Sequence, residues 1–274
     1  MFFNNSQYFQ FDKELISSNG IKANIFKLNN EIVDEEALNK WAYGMRNNYV
    51  EEHLLESLLA GTGLTKKQYL EQNVFPNPQN SQGAATMSGE FGEILVYDYI
   101  NFVLEHYVSR TRYFDKINPD MPLPGTDVMG YKIQNISKPS TKDQLLVAEV
   151  KTRSSKTGKK MSLEDNPLGK AIIDSEKDRV RIGESLNAEK RRLLTRNRVD
   201  EAKIVERFQN KTDTPFSLNF YAVVIIDSYL YSDQFFLDVL NEIENKIVDK
   251  NILVIHSKEL IAFLRDIYRR ACIC

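Results

Sequence analysis

The sequence has few of the residues on which covalent or metal frameworks depend. Its only two cysteines, Cys272 and Cys274, stand one residue apart at the end of the chain, so we expect neither a stapling disulfide nor a thiolate zinc site. The three histidines are scattered without zinc spacing, at His53, His106 and His256. There is no Gly-x-x-x-x-Gly-Lys-[Ser/Thr] loop, so nothing in the sequence supports NTP hydrolysis.

Long apolar runs are also missing. No run approaches the roughly 20 residues that a membrane-spanning helix needs. Residues 1–5 lack the basic start and the long apolar stretch of a signal peptide. With 42% hydrophobic residues, 8 prolines and 12 glycines among 274 residues, the composition is typical of an ordinary globular protein. We therefore expect a folded cytoplasmic protein that does not bind membranes.

The net charge is only −2, but the charge is distributed unevenly. Residues 151–211 carry 17 Lys/Arg against 10 Asp/Glu, whereas the remainder of the chain is acidic. A basic segment on an acidic body suits a protein that meets phosphate on one face. Solvated helix faces would produce the same pattern, so charge alone does not decide between these interpretations.

The composition predicts two domains. Residues 75–83 are rich in turn formers and poor in apolar residues, which is typical of a linker. Before them, a strand-like start is followed by helical spacing of apolar residues over 35–59. We therefore predict a smaller, mostly helical accessory or regulatory domain over residues 1–82 and a second domain over residues 83–274.

The second domain is predicted to alternate strands and helices. A long helix is expected to begin at Ser88 as its N-cap. The elements predicted after it are strands over 110–114, 128–136 and 144–151, helix over 168–208, strand over 220–226, helix over 235–247, strand over 252–255 and helix over 259–271. This order indicates an α/β layered domain with a mixed sheet.

One of three Glu-x-Lys tripeptides stands out by its position. The copies at Glu201 and Glu244 lie in polar, helix-forming sequence, whereas Glu149-Val150-Lys151 ends an apolar run that is predicted to be a buried strand. Strand alternation places Glu149 and Lys151 on the same face. Burying a carboxylate and an ammonium there is costly unless they are paired or bind a metal.

Further carboxylates are predicted to join this pair. Asp127 follows a proline-rich turn and opens the preceding strand, so it converges with Glu149 if the two strands form a hairpin. Glu90 and Glu93 share one face of the helix before them. Either could complete the cluster, and Glu93 is favoured.

Such a cluster has the chemistry of phosphodiester hydrolysis. Carboxylate oxygens suit Mg²⁺ or Mn²⁺, with Asp127, Glu149 and Glu93 as predicted metal ligands. The metal would polarise the scissile phosphate and activate a water. Lys151 would orient that water and stabilise the developing charge.

This arrangement resembles the PD-(D/E)XK nuclease superfamily over residues 88–257. More narrowly, the chain resembles the HamA family, the nuclease subunits of the Hachiman antiphage defence system. That likeness is carried by the N-terminal domain and by three strings of sequence, Gly-Glu-Phe-Gly-Glu, Gly-Thr-Asp and Ala-Glu-Val-Lys-Thr. The chain departs from the superfamily pattern in placing Gly125 and Thr126 between Pro124 and Asp127, which is a common variation.

The resemblance implies a fold, an activity and a partner. The fold would be a restriction-endonuclease-like core, with a mixed sheet covered by helices on both faces. The activity would be Mg²⁺-dependent DNA endonuclease activity, with Asp127, Glu149, Lys151, Glu93 and Glu90 as catalytic candidates. The partner would be the helicase subunit of the same defence system, a HamB-like protein.

Two groups of basic residues are candidates for contact with DNA. Lys156, Lys159 and Lys160 lie in a glycine-containing loop next to the predicted metal site. Arg191 and Arg192 lie in predicted helix, where they could follow a DNA backbone, contact a partner or merely solubilise the helix.

Other interpretations remain open. The chain could be a restriction or DNA-repair nuclease of the same superfamily, or an interaction module without catalytic activity. Asp127 could simply begin a strand, and Glu149 and Lys151 could form a structural ion pair. Glu90 and Glu93 lie in early helical turns, where carboxylates are favoured by the helix dipole.

Overall fold

A computed structural model describes residues 2–155, 166–242 and 250–274. The strands within these ranges are β1 (Phe9–Ile16), β2 (Lys22–Leu28), β3 (Val128–Lys132), β4 (Gln144–Arg153), β5 (Ser217–Asp227) and β6 (Lys250–Ser257). The α-helices are α1 (Glu35–Arg46), α2 (Glu52–Leu59), α3 (Lys66–Tyr69), α4 (Ser81–Asp98), α5 (Pro167–Thr195), α6 (Val199–Glu206), α7 (Asp233–Glu242) and α8 (Leu260–Ala271).

The strands form one mixed sheet in the order β1-β2-β6-β5-β4-β3. The pairs β1–β2 and β3–β4 are antiparallel, whereas β2–β6, β6–β5 and β5–β4 are parallel. The central strands β5 and β6 are continuous apolar runs, as expected for strands that are buried on both faces. Strand β3 lies at an edge of the sheet, and its first residues, Val128 and Met129, are buried.

Helices cover both faces of the sheet. Helices α1, α4 and α8 pack on one face through a core that includes Trp41, Phe91 and Leu264. Helices α5, α6 and α7 cover the other face, where Leu186 and Phe236 are buried. The predicted α/β class, with a mixed sheet between two helical layers, is confirmed. Among the described residues, no helix combines the length and the apolar character needed to cross a membrane.

The N-terminal residues share this sheet and its core. Strand β2 pairs in parallel with β6, from Ala23 opposite Ile252 to Leu28 opposite Ser257. The buried guanidinium of Arg46 donates to the backbone carbonyl of Ala271 at 3.0 Å. Sheet and core therefore continue across the boundary predicted at residue 82, and independent folding of residues 1–82 stays a prediction.

Several predicted element limits were wrong. Helix α4 begins at Ser81 rather than at Ser88, because the side chain of Asn80 accepts from the Gly83 N–H and caps the helix earlier. Residues 110–114 form no strand, because Arg110 takes a left-handed conformation with φ +54° and pairs with buried Asp98.

Two further segments are shorter than predicted. The strand expected over 128–136 ends at Lys132, and the helix expected over 168–208 divides into α5 and α6. The division falls near Asn197, whose φ of +55° interrupts the helix. The helix expected over 235–247 is observed to Glu242, and its last residues lie outside the described ranges.

Candidate active site

Strand pairing brings Asp127 next to Glu149. Strands β3 and β4 pair with Val128 opposite Ala148, so one step further Asp127 comes opposite Glu149. Asp127 Oδ2 accepts from the backbone N–H of Val150 at 3.0 Å. The antiparallel hairpin on which the predicted convergence depended is therefore present, and residues paired in this way point to the same face of the sheet.

Glu149 and Lys151 form an ion pair on that face. Glu149 is only 4% exposed, and its Oε1 accepts from Lys151 Nζ at 2.6 Å. Lys151 Nζ also lies 2.8 Å from Oδ2 of Asp174 on helix α5. The ammonium is thus held by two carboxylates beside Asp127, in the position predicted from strand alternation.

The two glutamates of helix α4 have separate environments. Glu93 lies 3.2 Å from Nε of Arg112 and accepts from the Tyr113 hydroxyl at 2.6 Å. Glu90 instead pairs with Lys116 and accepts from the Tyr49 hydroxyl at 2.8 Å. Glu93 and Asp127 both contact the same guanidinium, which supports the preference for Glu93 over Glu90.

That shared partner, Arg112, is a residue that the sequence did not reveal. Its Nη2 lies 3.4 Å from Asp127 Oδ1, while its Nε faces Glu93. The same guanidinium donates to the backbone carbonyls of Leu123 and Thr126 at 2.9 and 2.5 Å. A positive charge therefore already lies between two of the three predicted metal ligands.

Helix α5 contributes two more charged groups that sequence reasoning missed. Asp178 is fully buried, and its Oδ1 accepts from Thr126 Oγ1 at 3.0 Å and from Arg181 Nε at 2.8 Å. Arg181 Nη2 also lies 3.5 Å from Glu149 Oε2. The spacing of Asp174, Asp178 and Arg181 along one helical face was the available signal, but the many charges of this helix concealed it.

Burial and mutual repulsion favour the protonated forms of two carboxyls. Burial, and then repulsion from Asp127, raise the pKa of Glu149 to about 7. The same two causes raise the pKa of Glu93 to about 8, because attraction to Arg112 opposes them without overcoming them. Burial lowers the pKa of Lys151, but the combined pull of Glu149 and Asp174 holds it above its ordinary value.

These shifts predict a pH-dependent cost of folding. A carboxyl whose pKa is raised on folding binds more protons in the folded state, so its stabilising contribution is lost as pH rises through the folded-state pKa. Glu93→Gln removes one such group. In EDTA, we expect the melting temperature of the variant minus that of wild type to increase as pH rises from 5 to 8. Wild type loses the stabilising contribution of protonated Glu93 over this range, whereas the variant has no such group to lose. A difference that stays constant over this range would contradict the assigned shift.

The donor set is compatible with a hard divalent cation. Mg²⁺ binds through oxygen, commonly through one or two carboxylates with water and substrate phosphate as the other ligands. Asp127 and Glu149 meet that requirement, and the guanidinium of Arg112 shows that the pocket accepts positive charge. Among the described residues, no three His, Cys, Asp or Glu side chains form a ready-made metal cluster. Glu93 as a direct metal ligand therefore stays a prediction.

The predicted DNA contacts fall into three cases. Lys156, Lys159 and Lys160 lie outside the described residues. Arg191 is exposed to solvent. Arg192 is half-buried and lines a cavity beside Asp127. The two neighbouring arginines, which looked equivalent in the sequence, thus face different surroundings.

Comparison with known proteins identifies a family. A family model described as HamA matches residues 3–271. No curated protein and no solved structure matches the chain.

Proposed function

The chain belongs to the HamA family of antiphage defence proteins, and within that family we propose that it is a Mg²⁺- or Mn²⁺-dependent DNA endonuclease of the PD-(D/E)XK type. The observation that carries the proposal is the placement of Asp127, Glu149 and Lys151 on one face of the β3–β4 edge. Two carboxylates beside an ammonium form a site that can bind a divalent cation and a phosphate together.

The roles of the side chains follow from their contacts. Asp127 and Glu149 would hold the metal, which when bound polarises phosphate and lowers the pKa of a water. Lys151 is fixed between Glu149 and Asp174 at 2.6 and 2.8 Å, so its charge is already in place when substrate arrives. A fixed cation of this kind stabilises negative charge that develops on phosphate, since no reorganisation is needed during the reaction.

The surrounding residues position this centre. Arg181 contacts both Glu149 and Asp178, and Asp178 accepts from Thr126, the residue before Asp127. This chain of contacts fixes the loop that carries Asp127 against helix α5. The family membership supports a DNA substrate, a helicase subunit as partner and a cytoplasmic setting, and these belong to the same proposal.

A silent interaction module is the second candidate, and one observation favours it. Each carboxylate of the site has a cationic neighbour: Asp127 has Arg112, Glu149 has Lys151, and Glu93 has Arg112. Buried charges that are paired in this way are structurally tolerable without a metal. Catalysis therefore has to be tested directly.

The test is cleavage of supercoiled plasmid and of linear DNA by the purified chain in Mg²⁺, Mn²⁺ or EDTA. We expect metal-dependent cleavage, either by the chain alone or with its helicase partner and ATP. Lys151→Ala should lower the rate by about 100-fold, because it removes a preorganised charge. The matched control is Lys203→Ala, in the Glu-x-Lys copy on α6, where Lys203 is exposed and pairs with Asp200 three residues earlier.

Two results would overturn the proposal. The first is absence of metal-dependent cleavage both alone and with the partner and ATP, which would favour the interaction module. The second is a Lys151→Ala variant that cleaves as fast as Lys203→Ala, which would place the chemistry elsewhere.

A further inference from the structure

A cavity of about 330 Å³ lies beside the candidate active site. It is bounded by helix α5 and by the chain segments around residues 108–112 and 124–127, and Asp127 forms part of its wall. Arg181, which also lines it, reaches Glu149 at 3.5 Å. A group held in this cavity would therefore be adjacent to the carboxylates assigned to the reaction.

Four arginines line the cavity and differ in how their charge is used. Arg110 is paired with Asp98, and Arg112 and Arg181 are paired with carboxylates of the site. Arg192 forms no ion pair with any described residue, and its Nε lies 3.5 Å from Thr111 Oγ1, at the limit of hydrogen-bond distance. Burial lowers the pKa of Arg192, and the attraction of Glu189 opposes that shift without overcoming it. Phosphate is the anion that a guanidinium binds best in this setting, with two parallel hydrogen bonds.

The rest of the wall suits a nucleotide better than a free ion. The hydroxyls of Ser109 and Thr111 lie beside Arg192, whereas Val108 and Met129 supply apolar surface. Ligand cavities span about 300–1,000 Å³, so this one has room for one nucleotide but not for a base pair with both of its backbones. The buried carboxyl of Glu189 also lines the wall, and burial raises its pKa.

We propose that this cavity binds one unpaired nucleotide of a single DNA strand, with its phosphate on Arg192, and so presents the neighbouring phosphodiester to Asp127 and Glu149. This inference rests on the proposed nuclease function and names its substrate as an unpaired strand. Proteins that act on single strands combine a cationic contact to the backbone with apolar contact to the bases in the same way.

Binding can be measured separately from cleavage. Fluorescence anisotropy in EDTA would compare a labelled single-stranded oligodeoxynucleotide with a hairpin duplex. We expect the single strand to bind more tightly, and Arg192→Gln to weaken its binding about tenfold, since a charge-assisted contact is lost. Arg191→Gln removes an equal charge one residue away from an exposed position, so its effect should be several-fold smaller.

A second variant keeps the test valid if Arg192→Gln fails to fold. Ala188 lines the cavity from helix α5, and Ala188→Leu fills space without changing charge, so it should also weaken binding of the single strand. Lys203→Gln is the control for loss of charge elsewhere. Equal binding of duplex and single strand, equal effects of Arg191→Gln and Arg192→Gln, or unchanged binding by Ala188→Leu would each overturn the proposal.

The two proposals fail in different ways. Metal-dependent cleavage combined with equal effects of Arg191→Gln and Arg192→Gln on binding would support the nuclease function. It would contradict the proposal that the cavity binds a nucleotide. Selective binding of single strands through Arg192, without any metal-dependent cleavage, would show a binding site for DNA and reject the nuclease.

Discussion

Glu149→Gln should lower metal-dependent DNA cleavage by about 100- to 1,000-fold, the range seen when one group that stabilises a transition state is removed. The amide keeps the shape of the side chain but loses the negative charge that would hold a divalent cation. Initial rates of plasmid nicking in Mg²⁺ measure the effect.

The same substitution should not destabilise the fold. Glu149 is 4% exposed and its pKa is raised by burial to about 7. Ionising Glu149 in the folded protein therefore costs free energy, and glutamine removes that cost. Lys151 keeps Asp174 as a partner at 2.8 Å. We therefore expect a melting temperature equal to or above that of wild type in EDTA at pH 8.

Glu201→Gln is the control for this experiment, because it makes the same change in a second Glu-x-Lys copy. Glu201 lies on helix α6, where it pairs with Arg198. Normal cleavage by Glu149→Gln would show that DNA is not cleaved at this site. A collapse of the melting temperature in Glu149→Gln would instead indicate that Glu149 is a structural ion-pair partner.

Gly92→Ala is expected to destabilise the protein by about 1–3 kcal/mol, the usual cost of overpacking a core. Gly92 lies where helix α4 crosses strand β4, and a Cβ added there would overlap Thr152 Oγ1 and lie 3.2 Å from Thr152 Cβ. The methyl group fits only if Thr152 changes its rotamer or the helix moves away from the strand. Since Glu93 is the next residue, its position relative to Asp127 would also change.

The matched control for Gly92→Ala is three residues away on the same helix. A Cβ at Gly89 would meet nothing within 4 Å, so Gly89→Ala should stabilise the helix by about 0.5–1 kcal/mol. Thermal unfolding measures both changes, and a shift of roughly 2–4 °C per kcal/mol is expected for a protein of this size.

A double variant tests the cause of the destabilisation. Thr152 Oγ1 is buried and has no hydrogen-bond partner among the described residues, so Thr152→Ala removes the obstructing atom at little cost. We expect Gly92→Ala/Thr152→Ala to recover part of the lost stability. Equal melting temperatures for Gly89→Ala and Gly92→Ala would contradict the close approach of α4 and β4.

The proximity of the central residues could be predicted because it depends on local rules. Strand alternation alone places Glu149 and Lys151 on one face, and a hairpin between neighbouring strands places Asp127 opposite Glu149. The functional roles of these residues stay predictions. Glu90 and Glu93 could not be separated from sequence, because they share a helical face and differ only in distant partners, Lys116 for one and Arg112 for the other.

What the sequence did not reveal depends on long-range packing. The pairing of β2 with β6 joins residues 23–28 to residues 252–257, and no local pattern specifies such a partner. Asp178 looked like one of many charges on a solvated helix, yet it is fully buried against Thr126. Arg112 lies within residues 110–114, which the sequence predicts to be a strand. The left-handed backbone of Arg110 interrupts the extended conformation, so a strand pattern does not predict where the Arg112 side chain lies.

The proposed nuclease function requires Asp127 and Glu149 together to hold a catalytic divalent cation. The most direct measurement is anomalous diffraction from crystals of the protein soaked in Mn²⁺ with a DNA oligonucleotide. We expect an anomalous peak within coordination distance, about 2.0–2.3 Å, of carboxylate oxygens from both residues, and none in crystals of Glu149→Gln. A peak elsewhere, or none at this site with DNA bound, would contradict it.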